Sequence, residues 1–350
     1  MGAAVEPGMR RTVLVTGVSR YVGARLAAML SADPAIERVV GVDVVAPTHD
    51  LGGAGFVRTD VRDPAIAAVM ERERTDTVVH AGVLATPRSV GGRVSMKEIN
   101  IIGTMQLLAA CQRSDVVRRL VVKSTTAVYG SSPRDPAVFT EDMTARSAPR
   151  SGYAKDAVEV EAYVRGFARR RPDIAVTTLR FANFMGPRVT TPMTAYFELP
   201  VAPTPLGFDG RLQFIHEDDG LEVMRLATVG DHPGTFNAAG DGLLTLSQAL
   251  RIAGRPSVPL PTVSSTLVGQ LFRRFGLVDF SGEQARFLAH GRVVDCTRLH
   301  HELGYRPKHS TPEAFAEFVR ERCVDAPLRR ERIVAAEAAI RDRLHGGRDA

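Results

Sequence analysis

The sequence contains no tryptophan and only three cysteines. Of its 45 basic residues just four are lysine: Lys97, Lys123, Lys155 and Lys308. Cys111, Cys296 and Cys323 are scattered and form no CxxC pair, so neither a disulfide framework nor a zinc site is expected, and no metal. The same thinness predicts a reducing, cytoplasmic compartment. No stretch approaches the run of about 18 apolar residues that a membrane span needs. The start, Met1 to Arg11, lacks the apolar core of a secretory signal. The net charge of +6 rests on dispersed arginines such as Arg118, Arg119 and Arg169–Arg171. No basic block is interleaved with aromatics, so no nucleic-acid partner is expected. What remains is an ordinary globular balance, 44% hydrophobic and 24% charged over 350 residues, long enough for a sizeable core.

Strand and helix signals alternate through the first half. Thr12–Thr16 is a short apolar run ending at a glycine, as a buried parallel strand does. Val22, Leu26, Met29 and Leu30 then follow helical spacing. Further strands are expected at Val39–Asp43, Phe56–Arg58, Thr77–His80, Leu120–Val122 and Ala175–Leu179. Helices between them include one with Ile101, Met105 and Leu108 on a single face, and one from Gly152 to Ala168. Six strands separated by helices predict an α/β, doubly wound parallel sheet of Rossmann type. The dinucleotide-binding domain is placed at 11–186. A smaller mixed substrate-binding region spans 187–325, with some segments returning to the first domain. The prolines at 187, 192, 200, 203 and 205 mark loop structure at its start. Residues 1–10 read as a disordered tail and 326–350 as an amphipathic helical tail.

The segment from Thr16 to Gly23 joins the first strand to the first helix. Gly17 and Gly23 let backbone N–H groups approach a pyrophosphate at the helix N-terminus, with Ser19, Arg20, Tyr21 and Val22 around it. Asp43 ends the second strand, where a carboxylate accepts bonds from adenosine ribose hydroxyls and repels a 2′-phosphate. Asp60, beside Val61, is placed to meet the adenine amino group.

These features resemble the extended short-chain dehydrogenase/reductase superfamily, the NAD-dependent epimerase/dehydratase family, and within it proteins described as UDP-glucose 4-epimerase-like. The resemblance spans residues 12–320. Val79-His80-Ala81-Gly82 resembles its HxA motif. Asn100-Ile101-Ile102-Gly103-Thr104 resembles NxxGT. The segment Ser124–Gly130 resembles SSxxVYG, and Arg180–Pro187, with Phe181 and Asn183, resembles RxxNxxGP. Phe214–Asp219 resembles FxHVxD, and Glu302–Lys308 resembles ELGWxPK. The resemblance implies NAD as cofactor, a hydroxyl or keto substrate that is a small molecule, such as a nucleotide sugar, and a homodimer through the helices holding Ile101–Ala110 and Gly152–Ala168.

Two positions depart from the family pattern. The middle glycine of its phosphate loop is Arg20, which either clamps the pyrophosphate or binds a 2′-phosphate; Asp43 favours NAD over NADP. The family also uses a tyrosine four residues before a lysine, whose ammonium lowers the phenol pKa from about 10 toward working pH. The lysine corresponds to Lys155, which by resemblance binds the nicotinamide ribose. The tyrosine position is Ser151. Thr125 matches the hydroxyl residue that orients the substrate oxygen. Tyr153 lies only two residues from Lys155, about 200° around a helix. Either the segment is distorted and Tyr153 swings in, or His80 or a water supplies the base, or the usual base is absent. A dinucleotide-binding regulatory protein without turnover, or a non-redox enzyme, is therefore the alternative to an atypical oxidoreductase. Arg188 and Arg211 are the candidates for an anionic substrate group.

Overall fold

The computed structural model describes residues 11–83, 92–146, 149, 152–260 and 282–323. Both proposed tails lie outside these residues, as does Ser151. In chain order the elements are β1 (Arg11–Thr16), α1 (Tyr21–Ser31), β2 (Ile36–Asp43), β3 (Gly55–Arg58), α2 (Ala65–Arg72), β4 (Thr77–His80), α3 (Arg93–Arg113), β5 (Arg119–Thr125), α4 (Gly152–Arg170) and β6 (Ala175–Phe181). There follow β7 (Asn183–Met185), α5 (Pro192–Phe197), β8 (Ala202–Pro205), β9 (Arg211–Leu212), β10 (Phe214–His216), α6 (Glu217–Val229), β11 (Gly234–Ala238), β12 (Leu244–Thr245), α7 (Leu246–Ile252), β13 (Ser257–Leu260), α8 (Gly282–His290), α9 (Thr297–His301) and α10 (Thr311–Arg322).

Seven strands form one sheet in the order β11-β6-β5-β4-β1-β2-β3, and every pairing in it is parallel. The order reverses between β1 and β4, which opens a crevice at the carboxyl ends of those strands. Strand alternation divides the core between the two faces. Val13, Val15, Val79, Val121 and Leu179 pack with Leu26, Leu30, Leu221 and Met224 of α1 and α6. Leu14, Val40, Val78, Val122 and Val176 pack with Ile66, Leu107, Leu108, Val160 and Phe167 of α2, α3 and α4.

Three expectations need correcting. The seventh strand, β11, comes from beyond the prolines and had no apolar run to announce it. The proline-rich stretch is not all loop. Thr191 caps α5 with Pro192 in its first turn, where a missing N–H costs nothing. And Met105 does not share the buried face of Ile101 and Leu108. It is 46% exposed, against 9% and 6%. The expected stripe of α1 holds, with Val22 and Met29 half-buried against the same core as Leu26 and Leu30. Gly23, Ala24 and Ala27 are buried with Leu26 and Leu30, because small residues bring the helix close to the sheet.

The remaining elements form a separate core of Met193, Tyr196, Phe197, Phe214, Leu250, Leu288, Phe315 and Phe318. Phe315 anchors it, stacked on Phe214 at 5.6 Å and edge-on to Phe197 at 4.7 Å. None of the helices among the described residues is long and apolar enough to cross a membrane.

Candidate functional site

The loop from β1 to α1 shows why its glycines are required. Gly17 has φ +81°, and a Cβ there would stand 2.7 Å from the Gly82 Cα. A Cβ on Gly23 would stand 2.3 Å from the Gly17 carbonyl oxygen. The first turn of α1 carries no acidic residue, so its N–H groups present positive charge to the crevice. The Asp43 carboxylate closes the other wall. Its Oδ2 accepts from the Ser19 N–H at 3.0 Å and the Ser19 hydroxyl at 2.6 Å, and its Oδ1 accepts from the Val44 N–H at 2.8 Å. Gly17, Ser19, Arg20, Asp43, Asp60 and Val61 line one continuous cleft. Arg20 is the N-cap residue of α1. Burial lowers its pKa and the Asp43 charge opposes that.

Asp60 is more engaged than the sequence indicated. Arg62 grips it through Nε and Nη2 at 2.6–3.1 Å, and the Arg62 N–H adds a bond at 2.9 Å. Val61 lies against α3, where its Cγ1 would be 2.6 Å from a Cβ on Gly103. That contact gives the glycine of the NxxGT segment its reason. Val22 packs against the core on the other face of the sheet, with α1 and α6.

His80 is fully committed. Thr104 donates its hydroxyl to the Asn100 carbonyl at 2.5 Å, so it accepts from His80 Nε2 at 3.0 Å. His80 Nδ1 therefore accepts from Thr16 Oγ1 at 2.9 Å. That oxygen in turn accepts the Gly82 N–H at 3.1 Å. Burial pushes the His80 pKa down to about 4, helped by nearby Lys123. A neutral imidazole with both nitrogens bonded to threonines ties β1, β4 and α3 together at the foot of Ala81 and Gly82. It is not the missing base. Asn100 is also inward, donating to the buried Asp156 at 3.2 Å.

Ser124 turns away from the cleft. Its hydroxyl donates to Glu161 at 2.6 Å, and Glu161 is paired with Arg180 at 2.7 Å. Thr125 faces the crevice end of β5 and accepts the Ala127 N–H at 3.2 Å. Its side chain is hydrogen-bonded to the Tyr153 hydroxyl. Helix α4 starts at Gly152, with φ +71°, and this left-handed entry precedes the tyrosine. The Tyr153 hydroxyl thus meets Thr125. Lys155 does not take part. It is 45% exposed and pairs with Glu159 at 3.7 Å. The charges acting on Tyr153 are the carboxylates of Asp156 and Glu161, which with burial raise its pKa.

Phe181 is buried against Phe184, with ring centroids at 5.0 Å. Asn183 opens β7, which pairs with β10. Arg188 is not available to a substrate as the sequence indicated. It is bound to Glu217 at 2.5 Å and Asp218 at 2.6 Å. Arg211 lines a cavity of about 210 Å³ with Ser132, Asp135, His290 and Arg292. Arg292 donates to the Gly130 carbonyl at 2.6 Å and stacks 4.9 Å from the Phe287 ring centroid.

Two features escaped the sequence reading. Glu217, fully buried, accepts from the Tyr21 hydroxyl, the Arg188 side chain and N–H, and the Val189 N–H. Asp219 accepts from the Tyr305 hydroxyl, the Lys308 and His309 N–H groups and His309 Nδ1. His216, Asp219 and His309 lie close enough to hold a metal, but four donors already occupy the Asp219 carboxylate. Both carboxylates lie in the FxHVxD-like segment Phe214–Asp219, and Tyr305 and Lys308 in the ELGWxPK-like segment, but nothing in either pattern showed that these groups bond one another.

A doubly wound sheet with a glycine loop at its switch point, and a carboxylate ending β2, defines a Rossmann-type dinucleotide fold. The chain belongs to the NAD dependent epimerase/dehydratase family, whose model matches residues 13–239. An uncharacterized protein of Mycobacterium tuberculosis is 47% identical over 91% of this chain and 85% of its own length. The structure is similar to that of the Thermus thermophilus UDP-glucose 4-epimerase in complex with NAD, with a TM-score of 0.68 and 23% identity over 89% of this chain and 98% of that one. It is similar also to the Thermotoga maritima UDP-glucose 4-epimerase with UDP-glucose, with a TM-score of 0.69 and 22% identity over 89% and 98%.

Proposed function

We propose that this protein binds NAD in the crevice between β1 and β4 and uses it on a hydroxyl or keto group of a small molecule, as a nucleotide-sugar epimerase or dehydratase does. The observation that carries this reading is the Asp43 carboxylate, fixed by Ser19 and Val44 beside a loop that has no room for a Cβ. When bound, the nicotinamide ring would accept or return a hydride. The N–H groups at the start of α1 would hold the pyrophosphate, and Arg20 would lie over it. Asp43 would accept from the adenosine ribose and repel a 2′-phosphate. Thr125 and Tyr153 would meet the substrate oxygen. Arg211, beside Arg292, would face an anionic part of the substrate. The reading of Thermus and Thermotoga epimerases bound to NAD and UDP-glucose supports the same assignment.

Identification of the nucleotide released on denaturing the purified protein tests this directly. NAD is the expected product. Asp43→Asn should weaken NAD by about tenfold and narrow its preference over NADP, since a charge-assisted bond contributes about 1.5–3 kcal/mol. Titration of both nucleotides against both proteins checks it, and an unaltered preference rejects the role given to Asp43.

One observation favours a second reading, a dinucleotide-binding protein without redox turnover: Tyr153 is faced by carboxylates, with Lys155 engaged elsewhere. NAD affinity without hydride exchange across a panel of sugar nucleotides, ketones and alcohols would select it.

A homodimer through α3 and α4 is part of the same proposal. Val94, Ile102 and Met105 on α3 and Tyr163 on α4 are apolar yet 40–73% exposed. An apolar patch on one face of two packed helices is the kind of surface a partner covers. Met105→Glu should convert a dimer to a monomer in sedimentation, and an unchanged mass rules this face out. The three cysteines are free and buried, which suits a cytoplasmic setting.

A further inference from the structure

The cavity of about 210 Å³ beside β9 carries an uneven charge balance. Arg211 and Arg292 line it, with Ser132, Asp135, Phe139 and His290. Backbone geometry sets the two arginines side by side. Gly291 has φ +70°, and a Cβ there would stand 2.2 Å from the Arg211 N and O. The Arg292 N–H donates to the Arg211 carbonyl at 2.9 Å. Leu212 is buried in the second core, so strand alternation turns Arg211 the other way. Among the described residues the Arg211 guanidinium makes neither a hydrogen bond nor an ion pair. Arg292 donates to neutral oxygens there: to Thr126 Oγ1 through Nε at 3.2 Å, and to the Gly130 carbonyl and Ser131 Oγ through Nη1 at 2.6 and 3.2 Å. No carboxylate of the described residues pairs with either arginine.

We propose that Arg211 and Arg292 hold a carboxylate of the substrate, that Asp135 accepts from one of its hydroxyls, and that the substrate is therefore a sugar acid. The proposal rests on the reading of a hydroxyl or keto substrate at Thr125 and names its class. A guanidinium withdrawn from water and facing no carboxylate is completed by an anion. Charge decides which anion. Two guanidiniums against the Asp135 carboxylate leave a single positive charge. Arg292 stays charged at neutral pH, although burial lowers its pKa to about 10. Glu283, which also acts on Arg292, is taken by Arg286. His290 adds no charge, because burial lowers its pKa. A diphosphate would overfill that balance beside Asp135. One carboxylate matches it, and its two oxygens suit a planar fork. Asp135 supplies the other half of the site. Its Oδ2 accepts the Ser132 N–H at 2.7 Å, and its Oδ1 is buried without a partner. An orphaned acceptor of this kind calls for a hydroxyl donor.

The place of the cavity fixes where the carboxylate sits on the substrate. Arg292 bonds Thr126, the residue next to Thr125. Phe139 joins the Asp135 loop to the same segment, its N–H donating to the Val293 carbonyl at 2.9 Å. A group held by Arg292 is therefore only a few bonds from an oxygen held by Thr125. A hexuronic acid meets this condition. Its carboxylate is carried next but one to the C4 carbinol, and its ring offers further hydroxyls to Asp135. The phosphate of a nucleotide sugar does not meet it, because it is attached at C1, across the ring from C4.

Calorimetric titration of the NAD-loaded protein with UDP-glucuronate, UDP-glucose and free glucuronate tests this on the wild type, Arg211→Gln and Arg211→Lys. UDP-glucuronate is expected to bind about 10- to 100-fold more tightly than UDP-glucose, the worth of a charge-assisted pair. Arg211→Gln should bring the acid down to the level of UDP-glucose, and Arg211→Lys should restore part of the difference. The Arg211 side chain bonds nothing in the fold, so an unchanged urea midpoint should accompany both variants. Equal affinity for the two UDP sugars, or an equal loss of both in Arg211→Gln, makes the anion the diphosphate and overturns the carboxylate assignment. Free glucuronate bound through Arg211 where neither UDP sugar binds keeps the carboxylate pair and overturns the nucleotide-sugar reading. A preference for the acid in a protein that takes up no NAD keeps the pair and overturns the NAD reading. No response to any of the three in a protein that holds NAD overturns this inference alone.

Discussion

Glu217→Ala is expected to cost roughly 1.5–3 kcal/mol of folding stability, the range for losing hydrogen bonds to a charged group and leaving a buried donor unpaired. Its carboxylate is fully buried and serves two segments at once. It holds the turn after β7 through the Arg188 and Val189 N–H groups and the Arg188 side chain, and it reaches the phosphate loop through Tyr21. The turn has no slack for another anchor: Gly186 has φ +158°, and a Cβ there would stand 2.6 Å from Glu217 Oε2. Alanine leaves the Val189 N–H buried without a partner. Urea denaturation measures the loss, and a change below about 1 kcal/mol would place the anchor elsewhere. Tyr21→Phe removes only one of the bonds and should cost about 1 kcal/mol. The two variants should also differ in NAD affinity. Glu217→Ala frees the whole Tyr21 end of the loop, whereas Tyr21→Phe keeps the ring in place.

Six of the seven strands were legible, the five inner ones because parallel strands buried on both faces read as unbroken apolar runs. The phosphate loop and Asp43 were legible because glycine spacing and a strand-end acid mark positions that backbone geometry dictates. β11 was not, because Gly234–Ala238 contains one large apolar residue, Phe236, and owes its place to pairing with β6. Arg188 was misread for a different reason. An arginine near a substrate loop and an arginine that balances a buried glutamate look alike until the glutamate is located. Tyr153 carried the opposite problem. Helical geometry correctly separates it from Lys155, yet the entry into α4 at Gly152 sends it to Thr125.

Tyr153→Phe should lower turnover by about 10²- to 10⁴-fold, the usual contribution of a positioned proton-transfer group, while NAD affinity changes little. The variant deletes one hydroxyl and leaves the ring packed against the core formed with α3 and α4. The direction of proton transfer follows from the surroundings. Burial and the carboxylates of Asp156 and Glu161 raise the Tyr153 pKa, so the phenol stays protonated at neutral pH and can donate a proton or hydrogen bond, with Thr125 alongside. A family-type dyad behaves differently, because its lysine lowers the phenol pKa and its activity falls as acid protonates the base. The pH–rate profile separates the two: a Tyr153 donor keeps its activity as pH falls through 7. Ser151→Tyr supplies the contrast. If the natural chemistry runs through Tyr153, a second phenol four residues before Lys155 adds an alkaline-activated route without replacing the first. Full turnover in Tyr153→Phe would confine Tyr153 to holding Thr125 in place. A Ser151→Tyr protein that alone turned over would mean that the natural chain binds its dinucleotide without redox chemistry.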